Sequence, residues 1–191
     1  MAAMSKGHPQ LQNGTSMIEV LVTIVILLVG LLGLAGLQAR LQTSEMESYQ
    51  RSQALILLDD MASRLASNRN NAASYVTTAA LGSGMTCPTS TAATADVDQM
   101  EWCEALQGAA ETSGTSNVGV MVGGRGCVED LGSGQFMITV AWQGLTPILW
   151  APDPLKKPAC GLNLYNGDAD SNCVDDLCRR VVTTIVRIAA L

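Results

Sequence analysis

The chain of 191 residues is long enough for one modest globular domain beside a membrane segment, and its formal net charge is −6 at pH 7. An acidic chain without a stripe of lysine and arginine gives no support to a nucleic-acid partner, because contacts with phosphate supply most of that affinity. The single histidine, His8, precedes the apolar segment described below, so a chain cut at this segment has no imidazole for nucleophilic catalysis or zinc binding. We therefore expect a protein without enzymatic activity, cofactor, bound metal or nucleic-acid partner.

One long apolar segment dominates the N-terminal part of the sequence. Residues 20–37 are apolar except for Thr23, and about 18 residues of helix at roughly 1.5 Å each approach the thickness of a bilayer's hydrocarbon core. Glu19 lies just before this run, and an unpaired acid at a membrane edge indicates a functional site. The sequence therefore predicts a membrane-spanning part at about residues 17–37. The alternatives are a simple anchor and a secretory signal cut near Ala39, although such signals have apolar runs of only roughly 7–15 residues.

The residues at the start of this run carry a specific signal. The sequence Gly-Thr-Ser-Met-Ile-Glu-Val-Leu-Val, which begins at Gly14, resembles the class III signal of type IV prepilins and pseudopilins. In that family a prepilin peptidase cuts after the glycine and methylates the new N-terminus, which here would be Thr15, where the family usually has Phe or Met. The resemblance implies a leader at residues 1–14. It also implies that Glu19, the acid at the fifth mature position, neutralises an α-amine that would otherwise be buried unpaired in the filament.

Three glycines recur at every third position in the apolar run, at Gly30, Gly33 and Gly36. Each glycine costs up to about 1 kcal/mol relative to alanine in a helix. This spacing would let neighbouring helices approach closely or let the helix melt locally, and the resemblance to pilins implies both behaviours during assembly. Glycines tolerated in a lipid-facing helix are the alternative.

An amphipathic pattern continues the apolar run over residues 38–70. Apolar residues recur there at helical spacing among charged ones, which predicts one continuous helix from about Thr15 to Asn68. Asp60 and Arg64 are placed as a favourable i,i+4 ion pair. The apolar positions expected along one face are Leu37, Leu41, Ala54, Leu58, Met61 and Leu65.

Several patches of sequence resemble minor pilins of type IV pili more than major pilins or the pseudopilins of type II secretion. They are VGLLGLAGLQARLQ, RSQALILLDDMASRLASNR, GRGC, FMITVAWQGLTP and CRRVVTTIVRIA. The resemblance implies an α+β, type IV pilin-like fold: a long N-terminal α-helix packed on a small antiparallel β-sheet, an α/β roll with disulfide-tied loops.

The same resemblance implies a function and a location. The chain would be a structural subunit that contributes to pilus assembly or priming in a minor-pilin complex at the tip. Its partners would be other minor pilins, the major pilin, a tip adhesin, the prepilin peptidase and the inner membrane. The subunit would cross the inner membrane once, with its head in the periplasm, and then reach the pilus on the surface of a Gram-negative bacterium. A minor pseudopilin of type II secretion is the nearest alternative, and a membrane-anchored periplasmic binding module is the alternative from another class.

The predicted head covers residues 71–191. Residues 71–95 are rich in Ala, Thr, Ser and Gly, which indicates a surface loop, and residues 96–106 predict a short helix capped by Asp96. Trp102 is expected to pack in the core rather than to anchor a partner. The other inward positions expected on this helix are Val97, Met100 and Cys103.

Three strands are predicted in the rest of the head. The first covers residues 119–122, with an extension through residues 125–128 left open. The second covers residues 136–143, where apolar residues alternate, and the third covers residues 180–189, which are rich in Val, Ile and Thr. Residues 129–134 are predicted as a hairpin connection. These strands would form a small antiparallel sheet over the second half of the long helix.

Six cysteines follow the apolar run. An even number of cysteines in an exported domain predicts disulfides, and the chain has no C-x-x-C motif to indicate a redox or zinc site. Residues 147–179 form a long loop, and the resemblance to pilins implies a disulfide-bounded exposed loop there. We favour the pairs Cys87–Cys103, Cys127–Cys160 and Cys173–Cys178, with Cys160–Cys178 as the alternative.

Residues 168–172 match the opening of a calcium-binding loop. Cys173 and Arg179 stand where such a loop needs glycine and glutamate, so an EF-hand is excluded. We expect a solvated acidic loop. A looser calcium site is the alternative, with ligands drawn from Asp168, Asp170, Asp175 and Asp176.

Overall fold

The computed structural model describes residues 16–109, 112–114, 116–117, 121–148, 158–168 and 170–189. The chain is α+β, with a long N-terminal apolar helix and a small antiparallel sheet. It divides into two compact units, Met1–Thr43 and Ser44–Leu191, which we describe separately.

Helix α1 runs from Met17 to Ser67, close to the predicted bounds. The carbonyl of Ser16 accepts its first hydrogen bonds, from the backbone N–H groups of Glu19 at 3.0 Å and Val20 at 3.3 Å. A 3₁₀ helix, Arg69–Tyr75, follows it and occupies the start of the segment predicted as loop.

One stripe of α1 is buried in the unit Ser44–Leu191. Its members lie three or four positions apart, the spacing of one helix face, and they are Gln50, Ala54, Leu58, Met61 and Leu65. Leu37 and Leu41, at the start of the predicted apolar pattern, lie outside this buried stripe and are 55% and 53% exposed. Both belong to the unit Met1–Thr43, where no described helix residue is buried.

The strands among the described residues are β1 (Leu81–Gly82), β2 (Thr112–Ser113), β3 (Ser116–Asn117), β4 (Arg125–Gly132), β5 (Gln135–Gln143) and β6 (Arg179–Arg187). Four of them form an antiparallel sheet in the order β1-β4-β5-β6, while β2 and β3 form a separate hairpin. The alternating residues Phe136, Ile138, Val140 and Trp142 of β5 join the buried stripe of α1 in one core. The predicted bounds of β5 and β6 are confirmed to within two residues.

Strand β4 differs from its prediction. The extension at residues 125–128 is the true beginning of the strand, whereas residues 121–122, the described part of the strand predicted at 119–122, lie in no strand. A tertiary contact explains this position. A Cβ atom at Gly126 would overlap the indole of Trp102, so only glycine lets the strand pass so close to this side chain.

The turn between β4 and β5 is also shorter than predicted. The connection predicted at residues 129–134 is wrong in its length, because only Ser133 and Gly134 lie between the strands. Both have positive φ, 54° and 70°, as a two-residue hairpin turn requires. The register shifts between Asp130 and Gly132, as at a β-bulge.

Helix α2 spans Thr94–Leu106 and begins two residues earlier than predicted. Its N-cap is Ala93, so Asp96 as the cap is wrong; Asp96 lies in the first turn and accepts a 2.5 Å hydrogen bond from Ser90 Oγ. Trp102 is fully buried, as predicted. Its inward neighbours are Ala95, Cys103 and Leu106, while Val97 and Met100 are half-buried.

All six cysteines form disulfides: Cys87–Cys103, Cys127–Cys160 and Cys173–Cys178. This is the favoured pairing, and Cys160–Cys178 is not formed. The first disulfide joins the segment before α2 to α2 itself, and the second joins the long loop to β4. The loop is therefore fastened to the sheet by a covalent bond.

A second buried layer lies on the face of the sheet opposite α1. Cys160 Sγ lies 3.9 Å from the carbonyl of Thr139 in β5, and Tyr165, Asp176 and Cys178 of the same loop are also buried. Arg179 is buried and donates to the carbonyls of Cys160 and Pro158. Burial lowers the pKa of Arg179 below its ordinary value, opposed by the charge of Asp176. Described parts of the long loop therefore form an ordered layer.

Candidate functional site

The apolar surface of α1 is the most unusual feature of the unit Met1–Thr43. In residues 20–37 the large apolar side chains are between 47% exposed, at Val20, and 73% exposed, at Leu32. Judged by length and composition, this part of α1 can cross a membrane. Apolar surface left in water costs about 25 cal/mol per Å², so contact with lipid or with other helices would stabilise this surface.

Glu19 lies in the first turn of α1. The carboxylate is exposed, and it takes part in none of the ion pairs formed by the described residues. An acid in the first turn interacts favourably with the positive end of the helix dipole. The two processing residues predicted before it, Gly14 and Thr15, lie outside the described residues.

The three glycines of the apolar run have no packing role within the chain. A Cβ atom at Gly30, Gly33 or Gly36 would meet nothing within 4 Å outside the helix's own backbone. Alanine would fit at each position and would favour the helix by up to about 1 kcal/mol. The reason for glycine must therefore be sought outside the isolated chain or in the flexibility of the helix.

The one polar residue within the apolar run has an internal partner. Thr23 Oγ1 donates a 2.8 Å hydrogen bond to the carbonyl of Val20. An unpaired hydroxyl in hydrocarbon would cost several kcal/mol, so this bond makes Thr23 compatible with lipid or with a helix bundle.

In the unit Ser44–Leu191, called the head from here on, Arg64 joins α1 to α2. Its guanidinium contacts three carboxylates, Asp60 and Asp98 at 3.0 Å and Glu101 at 2.6 Å. Partial burial alone would lower the pKa of Arg64, but the hydrogen bonds that its guanidinium donates to these carboxylates outweigh the effect of burial and raise the pKa above its ordinary value. The pair predicted between Asp60 and Arg64 is thus part of a larger network.

Tyr75 belongs to the same network, because its hydroxyl donates to the Asp98 carboxylate. Burial and this hydrogen bond raise the pKa of Tyr75 to about 12. The network fixes the end of α1, the 3₁₀ helix and α2 together, and it needs no ligand.

The acidic part of the long loop was predicted to be solvated, with a looser calcium site as the alternative. Asp168, Asp170 and Asp175 are exposed, and buried Asp176 accepts hydrogen bonds of 2.9 and 3.0 Å from the Asn163 backbone. Among the described residues, no three Asp, Glu, His or Cys side chains gather to hold a metal ion.

Comparisons with protein-family models, with curated proteins and with solved structures find no match for this chain. The candidate site therefore rests on its own residues: an exposed apolar helix, an acid at its first turn and three glycines without internal contacts. These residues are conspicuous in the sequence. The position of β6 at the end of the described sheet is not, because strand order is not visible in local sequence patterns.

Proposed function

We propose that this chain is a minor pilin, a structural subunit of a type IV pilus that is cut between Gly14 and Thr15 by a prepilin peptidase. One observation carries the proposal: α1 is a single helix whose residues 20–37 are exposed and apolar, while the part from Gln50 to Leu65 supplies the core of a folded head. Such a helix has one half for lipid or a filament core and one half for the head. The quoted sequence patches resemble the PilV subfamily of minor pilins, and the α+β fold is compatible with a pilin.

The function requires the exposed apolar half to exchange lipid for other helices. Both environments are apolar, so the exchange costs little, and close packing between helices favours the filament. Gly30, Gly33 and Gly36 support this step because they leave α1 free of side chains at three neighbouring positions. A pilus then forms by bundling these helices while the heads remain outside the bundle.

Glu19 and the new N-terminus act as a charged pair in this proposal. The cut creates an α-ammonium group on Thr15, and burial of this group in a filament core is unfavourable without an anion. Glu19 is free to supply that anion, since it forms none of the ion pairs seen among the described residues. The pair would also set the depth at which a subunit docks, because the two charges meet in only one alignment of the incoming helix along its neighbours.

The first test is the intact mass of the membrane-extracted chain from its native host, with and without the prepilin peptidase. We expect loss of residues 1–14 only when the peptidase is present, with or without one added methyl group. A Gly14→Val variant should keep its full mass in both strains. An uncut wild-type chain, or a cut near Ala39, would overturn the proposal.

A further inference from the structure

The three disulfides join the cysteines in the order in which they occur along the chain. The first cysteine pairs with the second, the third with the fourth and the fifth with the sixth: Cys87–Cys103, Cys127–Cys160 and Cys173–Cys178. Of all the ways to pair six cysteines, this is the one in which no disulfide encloses or overlaps another. Each disulfide therefore closes a loop that contains no further cysteine.

Chain entropy favours this pairing in the unfolded chain. Closure of a flexible loop becomes less probable as the loop lengthens, roughly as the three-halves power of its length. Cys173–Cys178 spans 5 positions, the shortest separation between any two of the six cysteines. Cys87–Cys103 spans 16 positions, and the competing pair of Cys103 with Cys127 closes a longer loop, which makes it roughly twofold less probable. Once these two disulfides have formed, the remaining two cysteines have only each other.

The sheet separates the cysteines that compete most closely. Cys103 belongs to the core on the α1 side of the sheet, and Cys87 packs against that core. Val128 of β4 belongs to the same core, whereas its neighbour Cys127 does not. Because side chains alternate along a strand, Cys127 projects from the opposite face, where it is bonded to buried Cys160. A disulfide between Cys103 and Cys127 would need β4 to turn over, so the docking of β4 excludes this pair.

A local turn brings Cys173 and Cys178 together. The backbone N–H of Leu177 donates a 2.9 Å hydrogen bond to the carbonyl of Val174, and the two residues between them have positive φ, 52° and 59°. Both of these residues are aspartates, which adopt positive φ more readily than most residues. This turn lies wholly between the two cysteines. Its closure removes Cys173 and Cys178 as competitors for Cys160.

We propose that chain entropy and the sheet together direct the three disulfides into their native pairing, so that the chain requires a thiol oxidant but no disulfide isomerase. In each step a pair of thiols transfers two protons and two electrons to a disulfide of the oxidant, which becomes two thiols. Three such steps complete the oxidation of one chain. The proposal goes beyond filament assembly, because it concerns the head alone and does not depend on cleavage at Gly14.

The test starts from the full chain in detergent micelles, reduced and unfolded in urea and then diluted into folding buffer with oxidised glutathione. Samples oxidised with and without a purified disulfide isomerase are blocked by alkylation, and their disulfides are mapped by mass spectrometry. Trypsin and a protease that cuts at aspartate together cleave between every two neighbouring cysteines, so each pairing gives its own linked peptides. Without isomerase we expect native pairing in most oxidised chains, compared with roughly one in fifteen for random pairing. A yield near the random value that the isomerase restores would overturn the proposal.

The same oxidation in urea measures the contribution of chain entropy, because the sheet is absent there. Cys173–Cys178 should be the most frequent pair, and Cys87–Cys103 should exceed the pair of Cys103 with Cys127 by roughly twofold. Equal frequencies of these pairs in urea would contradict the entropic part of the proposal.

Two variants test the contribution of the sheet. Ile138→Pro disrupts the middle of β5 without changing a cysteine, so oxidation in folding buffer should give the same pairs as in urea. The double variant Cys127→Val with Val128→Cys moves one thiol by a single position, which hardly changes the loop lengths but turns the thiol to the face of Cys103. Its pairing with Cys103 should increase in folding buffer and stay unchanged in urea. Native pairing that survives Ile138→Pro would show that the sheet does not direct the cysteines and would overturn that part of the proposal.

Discussion

The indole Nε1 of Trp102 on α2 donates a 2.9 Å hydrogen bond to the backbone carbonyl of Leu57 on α1. The same indole lies against Gly126 of β4, where no side chain would fit. One buried side chain thus joins three elements of the head, and its position depends on the missing Cβ atom of the glycine.

A Gly126→Ala substitution should therefore destabilise the head by about 1–3 kcal/mol, because the new methyl group must displace the indole or the strand. Urea unfolding of the detergent-solubilised chain, followed by near-ultraviolet circular dichroism, measures this loss. In a Trp102→Phe background the smaller ring leaves space, so the same substitution should cost less. Equal costs in both backgrounds would show that the contact does not determine the effect.

Alkaline pH should weaken the head through Tyr75. Its pKa in the folded chain, about 12, lies above the ordinary value of 10.0, because burial and the hydrogen bond to Asp98 favour the protonated phenol. The resulting stabilisation is complete below about pH 10 and is lost as the pH rises towards 12. Urea unfolding at several pH values across this window should show a smaller decline for Tyr75→Phe than for the wild type. An identical decline would exclude Tyr75 as its source.

The disulfides should differ in their contribution to stability. In the chain-entropy model, Cys127–Cys160 closes 33 residues and is worth about 4 kcal/mol, while Cys173–Cys178 closes 5 residues and is worth about 2 kcal/mol. Paired serine substitutions at each disulfide, compared by urea unfolding, measure these values. Removing Cys127–Cys160 should also speed hydrogen exchange in residues 158–168. A larger loss from the Cys173–Cys178 pair would contradict the predicted order.

The elements that depend on a local pattern could be predicted from the sequence. Helix α1 and strands β5 and β6 have long regular periodicity, and their bounds agree with the structure to within two residues. The predicted position of β4 was wrong because it depends on the contact between Gly126 and Trp102, which lie far apart in the sequence. Gln50 was missed for a related reason. Gln50 is 3% exposed, but its side chain is polar, so a pattern of apolar residues does not predict its burial.

Glu19 and the glycines of the candidate site were visible in sequence because a charge or a glycine is conspicuous in an apolar run. The position of β6 at the end of the described sheet was not visible, since it follows from the strand order β1-β4-β5-β6 rather than from any residue.

The glycines of α1 should matter for assembly but not for folding. Alanine at Gly30, Gly33 and Gly36 has free space in the isolated chain, so the triple variant should be at least as helical as the wild type in detergent. If close helix packing is their role, alanine should be tolerated in filaments and leucine should not. If local melting is their role, alanine should also reduce incorporation. Full incorporation of the triple leucine variant would leave these glycines without a role in assembly.

Glu19 should be required for docking. Glu19→Gln keeps the size of the side chain but leaves the α-ammonium group without an anion, so incorporation into filaments should fall at least tenfold. Its matched control is Glu45→Gln, the same change at an exposed acid further along α1. Cleavage by the peptidase should persist in both variants, which separates docking from processing. Normal incorporation of Glu19→Gln would exclude the charged pair.

The most direct test of the central claim is mass spectrometry of filaments sheared from the native host. If the chain is a minor pilin, these filaments should contain it without residues 1–14, in small amounts relative to the major pilin, and a strain without the prepilin peptidase should yield none. A chain that is absent from sheared filaments and keeps its full mass in the membrane would contradict the account. A processed chain that is absent from pili but required for protein secretion would instead assign the same helix and head to a secretion machine.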